Sequence, residues 1–205
     1  MTEIKKIVVG ELEVNSYLVW SRSSQKCFIL DPGDEGERII GLISDLDLVP
    51  DGVILTHAHM DHCGAVSLLV SRYGVPLFMH SADLPVLRSQ INMDISAALG
   101  LEPAPPPDRY ISDGDTVETG GLSIEVIHTP GHTPGSVCLR AGGILFTGDT
   151  LFAGSIGRTD LPGGDFNLIR NSLDRLRAFP GETVVLPGHG DSTTLQREFD
   201  YNPFF

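Results

Sequence analysis

The feature that most constrains the fold and function of this chain is a dense cluster of histidine and aspartate residues, in the run THAHMDH at positions 56–62. It follows a short apolar run and precedes a helical pattern. Histidines two positions apart at the end of an extended strand point to the same side, so His57 and His59 can share one ion. Asp61 and His62 lie where the chain turns into the helix and can face a second position. Neutral imidazole and carboxylate suit zinc, iron or manganese, so the run predicts a metal centre at a strand-to-helix junction.

Three other segments offer candidate ligands in the same context, each after a short apolar strand. His132 lies in the loop HTPGHTPG at 128–135, Asp149 lies in TGDT, and His189 lies in PGHG. Glycine beside each ligand lets the backbone approach an ion closely. The sequence therefore predicts that distant parts of the chain contribute to one metal centre.

The pattern of short elements predicts two similar halves. The first half has apolar runs at 6–9, 14–20, 27–30 and 53–55, then a helical pattern that Gly74 terminates, then a strand at 75–79. The second half has strands at 122–128, 136–140, 144–147 and 183–186, with a helix over 166–179. Two such halves predict an α/β fold in which two sheets pack face to face with helices outside, a four-layer αββα sandwich. At 205 residues, we expect one domain over positions 1–205.

Composition restricts the class of partner. The chain carries 27 acidic and 14 basic residues, a net charge of −13, which disfavours nucleic acid and anionic membranes as partners. It contains no apolar run of about twenty residues and no pattern of a signal peptide. Its three cysteines are odd in number and widely spaced, which is typical of neither a disulfide framework nor a thiolate zinc site. We therefore expect a cytoplasmic protein with a small-molecule substrate.

Several further residues near these segments have an expected role, and for some of them two interpretations remain open. Residues 81–100 are helical but irregular and lead to a proline-rich stretch, so this region is either the wall of a substrate pocket or a plain surface connection. Asp31 either orients a metal ligand or only forms a turn. Cys63 is expected to be a packed, inert thiol, although it adjoins the metal run. His128 is expected to support the loop that carries His132, and His80 to cap a helix or face solvent.

The four ligand segments, in this order, resemble the metal-binding motifs of the metallo-β-lactamase superfamily, and the resemblance covers nearly the whole chain. It implies one metal bound by His57, His59 and His132, a second bound by Asp61, His62 and His189, and Asp149 bridging both. Two divalent ions are expected, zinc first, with iron or manganese as alternatives. Ions about 3.5–4 Å apart can share a water and present it as hydroxide. We also expect Asp61 to have a catalytic role, in which its carboxylate orients that bridging hydroxide.

The run GDTLFAGS at 148–155, followed by GRTD at 157–160, resembles the glyoxalase II-like branch of this superfamily. That branch implies a thioester hydrolase of the hydroxyacylglutathione hydrolase type, which converts S-lactoylglutathione to lactate and glutathione. The end of the chain resembles short bacterial members, so we expect the C-terminal helical domain of the longer enzymes to be absent. Arg158 is the candidate anchor for a substrate carboxylate, with an ion pair to Asp160 or Asp165 as the alternative.

Three other functions remain open from the sequence. A persulfide dioxygenase of the same fold has a similar GRTD run and uses a single iron held by two histidines and an aspartate. A nuclease of the superfamily is expected to need a basic groove and an inserted domain, and neither is visible. A non-catalytic metal-binding module would leave no open coordination position. The sequence predicts no particular oligomeric state.

Overall fold

The computed structural model describes residues 2–205, and its first sheet has six strands arranged in chain order. These strands are β1 (Thr2–Val9), β2 (Val14–Ser21), β3 (Lys26–Leu30), β4 (Val49–Ile54), β5 (Leu77–His80) and β6 (Arg109–Ile111). The strands β1 to β3 pair antiparallel, and β3 to β6 pair parallel. Parallel strands need a crossover on a face of the sheet, and helices of this half supply it.

The second sheet also has six strands. They are β7 (Thr116–Thr119), β8 (Leu122–His128), β9 (Val137–Ala141), β10 (Ile144–Gly148), β13 (Val184–Pro187) and β14 (Thr193–Thr194), and a small separate hairpin contains β11 (Leu151–Phe152) and β12 (Ser155–Ile156). The spatial order is β14-β13-β10-β9-β8-β7, and β10 and β13 pair in parallel while the other neighbours pair antiparallel.

The helices lie outside the two sheets. They are α1 (Gly36–Asp45), α2 (Met60–Cys63), α3 (Val66–Tyr73), α4 (Leu84–Leu87), α5 (Gln90–Leu99), α6 (Phe166–Leu176) and α7 (Leu195–Tyr201), with a 3-10 turn at Ser81–Asp83 before α4. Within residues 2–205, no helix is long and apolar enough to cross a membrane.

Three apolar cores hold the layers together. Between the sheets, Phe28 of β3 and Phe146 of β10 belong to one buried cluster. On the outer face of the first sheet, Ile39 of α1 and Leu69 of α3 pack in a second cluster with its strands. On the outer face of the second sheet, Leu173 of α6 packs in the third cluster with β9 and β10. The order of layers is helix, sheet, sheet, helix, which confirms the predicted four-layer αββα sandwich.

The predicted strands are confirmed, although β1 and β4 each begin four residues earlier than predicted, and α3 ends at Gly74 in the left-handed region, with φ of 63°. The predicted helix over 166–179 is shorter, because α6 ends at Leu176. The sequence interpretation missed α1 and α7, and it also missed the short strands β6, β7 and β14.

The topology brings the functional segments to one edge. The strands β3, β4, β10 and β13 each end directly before a loop that carries a candidate residue, and their parallel pairs place those ends side by side. Two further hydrogen bonds join the halves at this edge, since the N–H of Asn15 donates to Gly188 and that of Val137 donates to Thr56. The loops that follow these strands therefore meet over the sandwich.

Candidate metal centre

The structure brings all seven sequence-predicted ligands to this edge. His57 and His59 follow β4, Asp61 and His62 lie in α2, and His132 lies in the loop between β8 and β9. The other two, Asp149 and His189, follow β10 and β13. Three groups of these side chains have potential ligand atoms within 4.8 Å of one another: His57, His59 and His132; His57, His62 and Asp149; and Asp61, His62 and His189.

Asp149 lies between the two outer groups. Its Oδ1 is 3.3 Å from Nε2 of His62, and its Oδ2 is 3.6 Å from Nε2 of both His132 and His189. In the first group, Nδ1 of His59 is 2.9 Å from Nε2 of His132. One carboxylate is therefore within reach of both groups, as a bridging ligand must be.

The second group is equally tight. Nε2 of His62 is 3.3 Å from Nε2 of His189, which in turn is 3.4 Å from Oδ2 of Asp61. Five imidazole rings and two carboxylates thus meet with their ligand atoms turned towards a common space.

Two buried polar atoms test whether a metal fits this site. Nε2 of His57 and Oδ1 of Asp149 are both buried, and neither has a hydrogen-bond partner of suitable geometry among residues 2–205. An unpaired buried polar atom costs free energy, and native proteins rarely leave one without a reason. Both atoms are good donors to a divalent cation. The residues present therefore fit a metal centre.

Glycines allow this close approach, as the sequence predicted. A Cβ on Gly188 would overlap Oδ1 of Asp149 and lie 2.7 Å from Cε1 of His62. A Cβ on Gly157 would overlap the backbone oxygen of Asp149 and lie 3.0 Å from Nδ1 of His132. The loops are closely packed behind the ligands, with no room for larger residues there.

Hydrogen bonds on the far side of each ring fix the orientation of the histidines. Nδ1 of His132 contacts the backbone oxygen of Arg158 at 2.8 Å, and Nδ1 of His189 contacts that of Leu12 at 2.9 Å. Since a carbonyl only accepts, both Nδ1 atoms carry the proton, and both Nε2 atoms are free to bind a metal.

Asp31 orients a further ring, so the first of its two interpretations is confirmed. Its buried carboxylate lies 3.2 Å from Nδ1 of His62 and also accepts from the N–H and Oγ1–H of Thr56, at 2.7 and 2.6 Å. Thr56 Oγ1 lies 3.1 Å from Nδ1 of His57. Asp31 thereby connects the end of β3 to both histidines.

Sequence reasoning missed Asp83, which is fully buried beneath the ligand loops. Its carboxylate accepts from the N–H of Ala58 at 2.9 Å, from Oγ1–H of Thr133 at 2.8 Å and from the N–H of Gly135 at 2.6 Å. These donors flank His57, His59 and His132. Asp83 therefore holds two ligand loops together, and no motif in its own segment indicates this role.

The environment sets the charge of these groups. Burial lowers the pKa of His57 well below its ordinary value, and burial lowers the pKa of His59 to about 4. Burial opposes ionisation of Asp61 and Asp149, but nearby histidines, His62 first, hold the pKa of both carboxyls below the usual range. For His62, those carboxylates outweigh burial and raise the pKa. His57 and His59 are therefore neutral and Asp61 and Asp149 are ionised, which are the forms that bind cations, whereas His62 has to release its proton when an ion binds.

A cavity of about 790 Å³ opens over this centre. Besides the ligands, its wall contains large apolar side chains: Leu12, Pro85, Val86, Ile91, Ile95 and Leu161. Four of these belong to α4 and α5. Residues 81–100 therefore form a pocket wall rather than a plain surface connection, while the proline-rich residues 103–107 take no part in that lining.

Arg158 also lines the cavity, but its guanidinium is already paired. Nε and Nη2 contact the two carboxylate oxygens of Asp160, both at 2.7 Å. The alternative interpretation, an ion pair with Asp160, is therefore the arrangement in the structure, and both side chains of that pair are exposed.

The three remaining candidates, Cys63, His80 and His128, have structural roles and do not belong to the three ligand groups. Cys63 is buried, and burial raises the pKa of its thiol, as expected for a packed thiol. His80 accepts from the N–H of Ala82 and so caps the 3-10 turn. His128 donates from Nε2 to the backbone oxygen of Pro134 at 2.9 Å, which supports the loop of His132 as predicted.

Comparison with known proteins agrees with this architecture. The model of the metallo-β-lactamase superfamily matches residues 9–189. An uncharacterized protein of Aquifex aeolicus is 40% identical over 204 residues, covering 98% of this chain and 96% of that protein. Hydroxyacylglutathione hydrolase GloC of Haemophilus influenzae is 35% identical over 206 residues, covering 98% and 97%.

Solved structures give the same result. The crystal structure of BLEG-1 B3 metallo-β-lactamase superposes with a TM-score of 0.90 and 35% identity, over 98% of this chain and 99% of that one. TTHA1623 in a di-iron-bound form has a TM-score of 0.87 and 39% identity, over 98% and 100%. ETHE1 from Myxococcus xanthus has a TM-score of 0.81 and 27% identity, over 98% and 83%.

The fold, together with the cluster of histidine and aspartate residues, is that of a metallohydrolase superfamily. This chain belongs to the metallo-β-lactamase superfamily.

Proposed function

We propose that this protein is a dinuclear metal-dependent thioester hydrolase of the glyoxalase II type, acting on S-lactoylglutathione or a related thioester. The observation that carries the proposal is the position of Asp149 within reach of two complete ligand groups. The likeness to hydroxyacylglutathione hydrolase GloC supports the choice of thioester. The net charge of −13 supports a small-molecule substrate over nucleic acid.

In this proposal, His57, His59 and His132 hold one ion, Asp61, His62 and His189 hold the other, and Asp149 bridges them. The two ions, zinc, iron or manganese, would lower the pKa of a shared water and polarise the substrate carbonyl.

The chain's own residues would position that chemistry. Asp61, kept ionised by its histidine neighbours, would orient the attacking water. In the reaction, the oxygen of a water molecule forms a C–O bond at the carbonyl, the C–S bond breaks, and a proton from that water goes to the sulfur, which leaves as a thiol.

The first test is steady-state hydrolysis of S-lactoylglutathione by zinc-reconstituted protein, with metal content measured in the same sample. We expect two ions per chain and a kcat/KM of about 10⁴ M⁻¹s⁻¹ or higher. A β-lactam belongs in the same assay because one similar structure is a B3 metallo-β-lactamase. Two bound metals with no turnover of any thioester would overturn the proposal.

A mononuclear iron persulfide dioxygenase is the second candidate function. The GRTD run at 157–160 favours it, and a group such as His57, His62 and Asp149 offers two histidines and one aspartate. The complete group around Asp61 and His189 favours two ions instead. Oxygen consumption with a persulfide, at one iron per chain, would support the dioxygenase and contradict the hydrolase.

A further inference from the structure

The cavity wall keeps large apolar side chains in contact with solvent directly beside the candidate metal centre. Leu12 is 64% exposed, Ile91 is 51% exposed and Ile95 is 40% exposed, and all three line the cavity. Exposed apolar surface of this kind marks a place that a ligand or a partner covers when it binds. Because the surface leads into the cavity of the candidate centre, its occupant is part of the substrate.

The charges around the cavity restrict what that occupant can be. Of the described residues that line it, Arg158 is the only lysine or arginine, and Asp160 already neutralises its guanidinium. The polar groups of α5 are also engaged, since the amide of Asn92 donates to the backbone oxygen of Ala58 at 2.6 Å and Ser89 caps the helix. A substrate with several carboxylates, such as a glutathione thioester, would find no free cation in this lining.

From these two observations we propose that the cavity binds the apolar acyl chain of an uncharged thioester, longer than a lactoyl group. The reaction at the carbonyl rests on the function proposed above, and the new element is the class of substrate. A volume of about 790 Å³ lies in the range of about 300–1,000 Å³ that is usual for small-molecule sites. The lactoyl group would leave most of the apolar wall uncovered.

The test uses acyl thioesters of N-acetylcysteamine, an uncharged thiol, from butanoyl to octanoyl, beside S-lactoylglutathione. A fully buried methylene contributes about 0.8 kcal/mol, or about fourfold in kcat/KM. We expect at least a tenfold rise from butanoyl to octanoyl, and a higher kcat/KM for the octanoyl thioester than for S-lactoylglutathione. No dependence on chain length would overturn the proposal.

Two variants of α5 provide a matched comparison. Ile95 lines the cavity, whereas Met93 is similarly exposed, at 43%, and lies outside the lining. Ile95→Glu should lower kcat/KM at least tenfold more for the octanoyl thioester than for the butanoyl thioester. Met93→Glu should change neither. Equal effects of the two variants would contradict a cavity-bound chain.

A binding measurement separates this proposal from the hydrolase function. The thioether S-octyl-N-acetylcysteamine cannot be hydrolysed, and calorimetry should show it binding at least tenfold more tightly than the S-butyl compound, with the gain lost in Ile95→Glu. That result without thioester turnover would refute the hydrolase but support the apolar site. Efficient turnover of S-lactoylglutathione with equal affinity for both thioethers would support the hydrolase and refute the apolar site.

Discussion

The base of the cavity and its wall are built in opposite ways. At the base, buried histidines and carboxylates are each held by a second contact, such as Asp31 behind His62 or the backbone of Arg158 behind His132. At the wall, apolar side chains such as Ile91 stand half in solvent. The contacts at the base fix the groups that determine the chemistry, whereas the wall offers the surface that a substrate would cover.

This difference implies different responses to substitution. A change at the base removes a group that several neighbours need, so metal binding, folding and activity should fall together. A change at the wall should alter one substrate and leave another unaffected. The predictions below test this division, beginning with the largest effect.

Asp149→Ala should produce the largest loss, because this carboxylate is within reach of both ligand groups. We expect a loss of at least one metal ion per chain and a fall in kcat of about 10³-fold or more, in line with removal of an electrostatic group from an active site. Metal analysis and thioester hydrolysis on the same preparation measure both.

Asp174→Ala is a suitable control for that experiment, since Asp174 is exposed on α6 and its one ion pair in the described part of the chain is with Arg177. It should retain both metals and full activity. Full turnover in Asp149→Ala would refute the dinuclear centre.

Asp83→Ala should have the next largest effect, because it leaves two backbone N–H groups and Thr133 without their acceptor. Buried donors left unpaired cost about 1–3 kcal/mol, so we expect a loss of about 3 kcal/mol in the free energy of unfolding. Urea unfolding of the metal-free protein measures this. Metal affinity should also fall about 10- to 100-fold, as for other residues that orient ligands.

The matched control is Asp115→Ala, since the Asp115 carboxylate also accepts from a backbone N–H but does so at an exposed site. It should change neither quantity. If Asp83→Ala lowers stability while metal affinity stays the same, then Asp83 supports the fold but does not position the ligands.

The base could be predicted from the sequence to a large extent, and the reasons are physical. Four candidate ligands are adjacent in the chain, and each of the others follows an apolar strand with glycine beside it. Parallel pairing of β10 with β13 then brings Asp149 and His189 together. Asp83 escaped prediction because its partners lie 25, 50 and 52 residues away, and contacts at such separations leave no pattern in the sequence.

The fold could be predicted as layers but not in every element. The helix α1 follows Glu35, which has a φ of 50° in the left-handed region and provides no side-chain cap, after a stretch that is typical of turns. The strands β6 and β14 have three and two residues, too few for a periodic pattern. They form because neighbouring strands offer unpaired backbone groups.

The wall was harder to predict for a different reason. Apolar residues spaced along a helix ordinarily predict burial in a core. In α5, Ile91 and Ile95 instead remain half exposed beside the cavity. Sequence alone does not distinguish an apolar face that packs on the protein from one that packs on a substrate.

The smallest predicted effect lies at the mouth of the cavity, where Asp160→Asn should release the guanidinium of Arg158. Both side chains of the pair are largely exposed, so its loss should leave the melting temperature unchanged. A freed arginine can bind a carboxylate, so KM for S-lactoylglutathione should fall by about two- to fivefold, within the usual strength of such exposed pairs.

Measurements with uncharged thioesters test whether the lower KM for S-lactoylglutathione results from the released guanidinium of Arg158. Their KM should not change in Asp160→Asn, because they carry no carboxylate for Arg158 to bind. Adding Arg158→Ala should abolish the gain for S-lactoylglutathione. If both substrate classes improve together, the substitution has altered the wall in general, and the division between a fixed base and a selective wall would not extend to its charged rim.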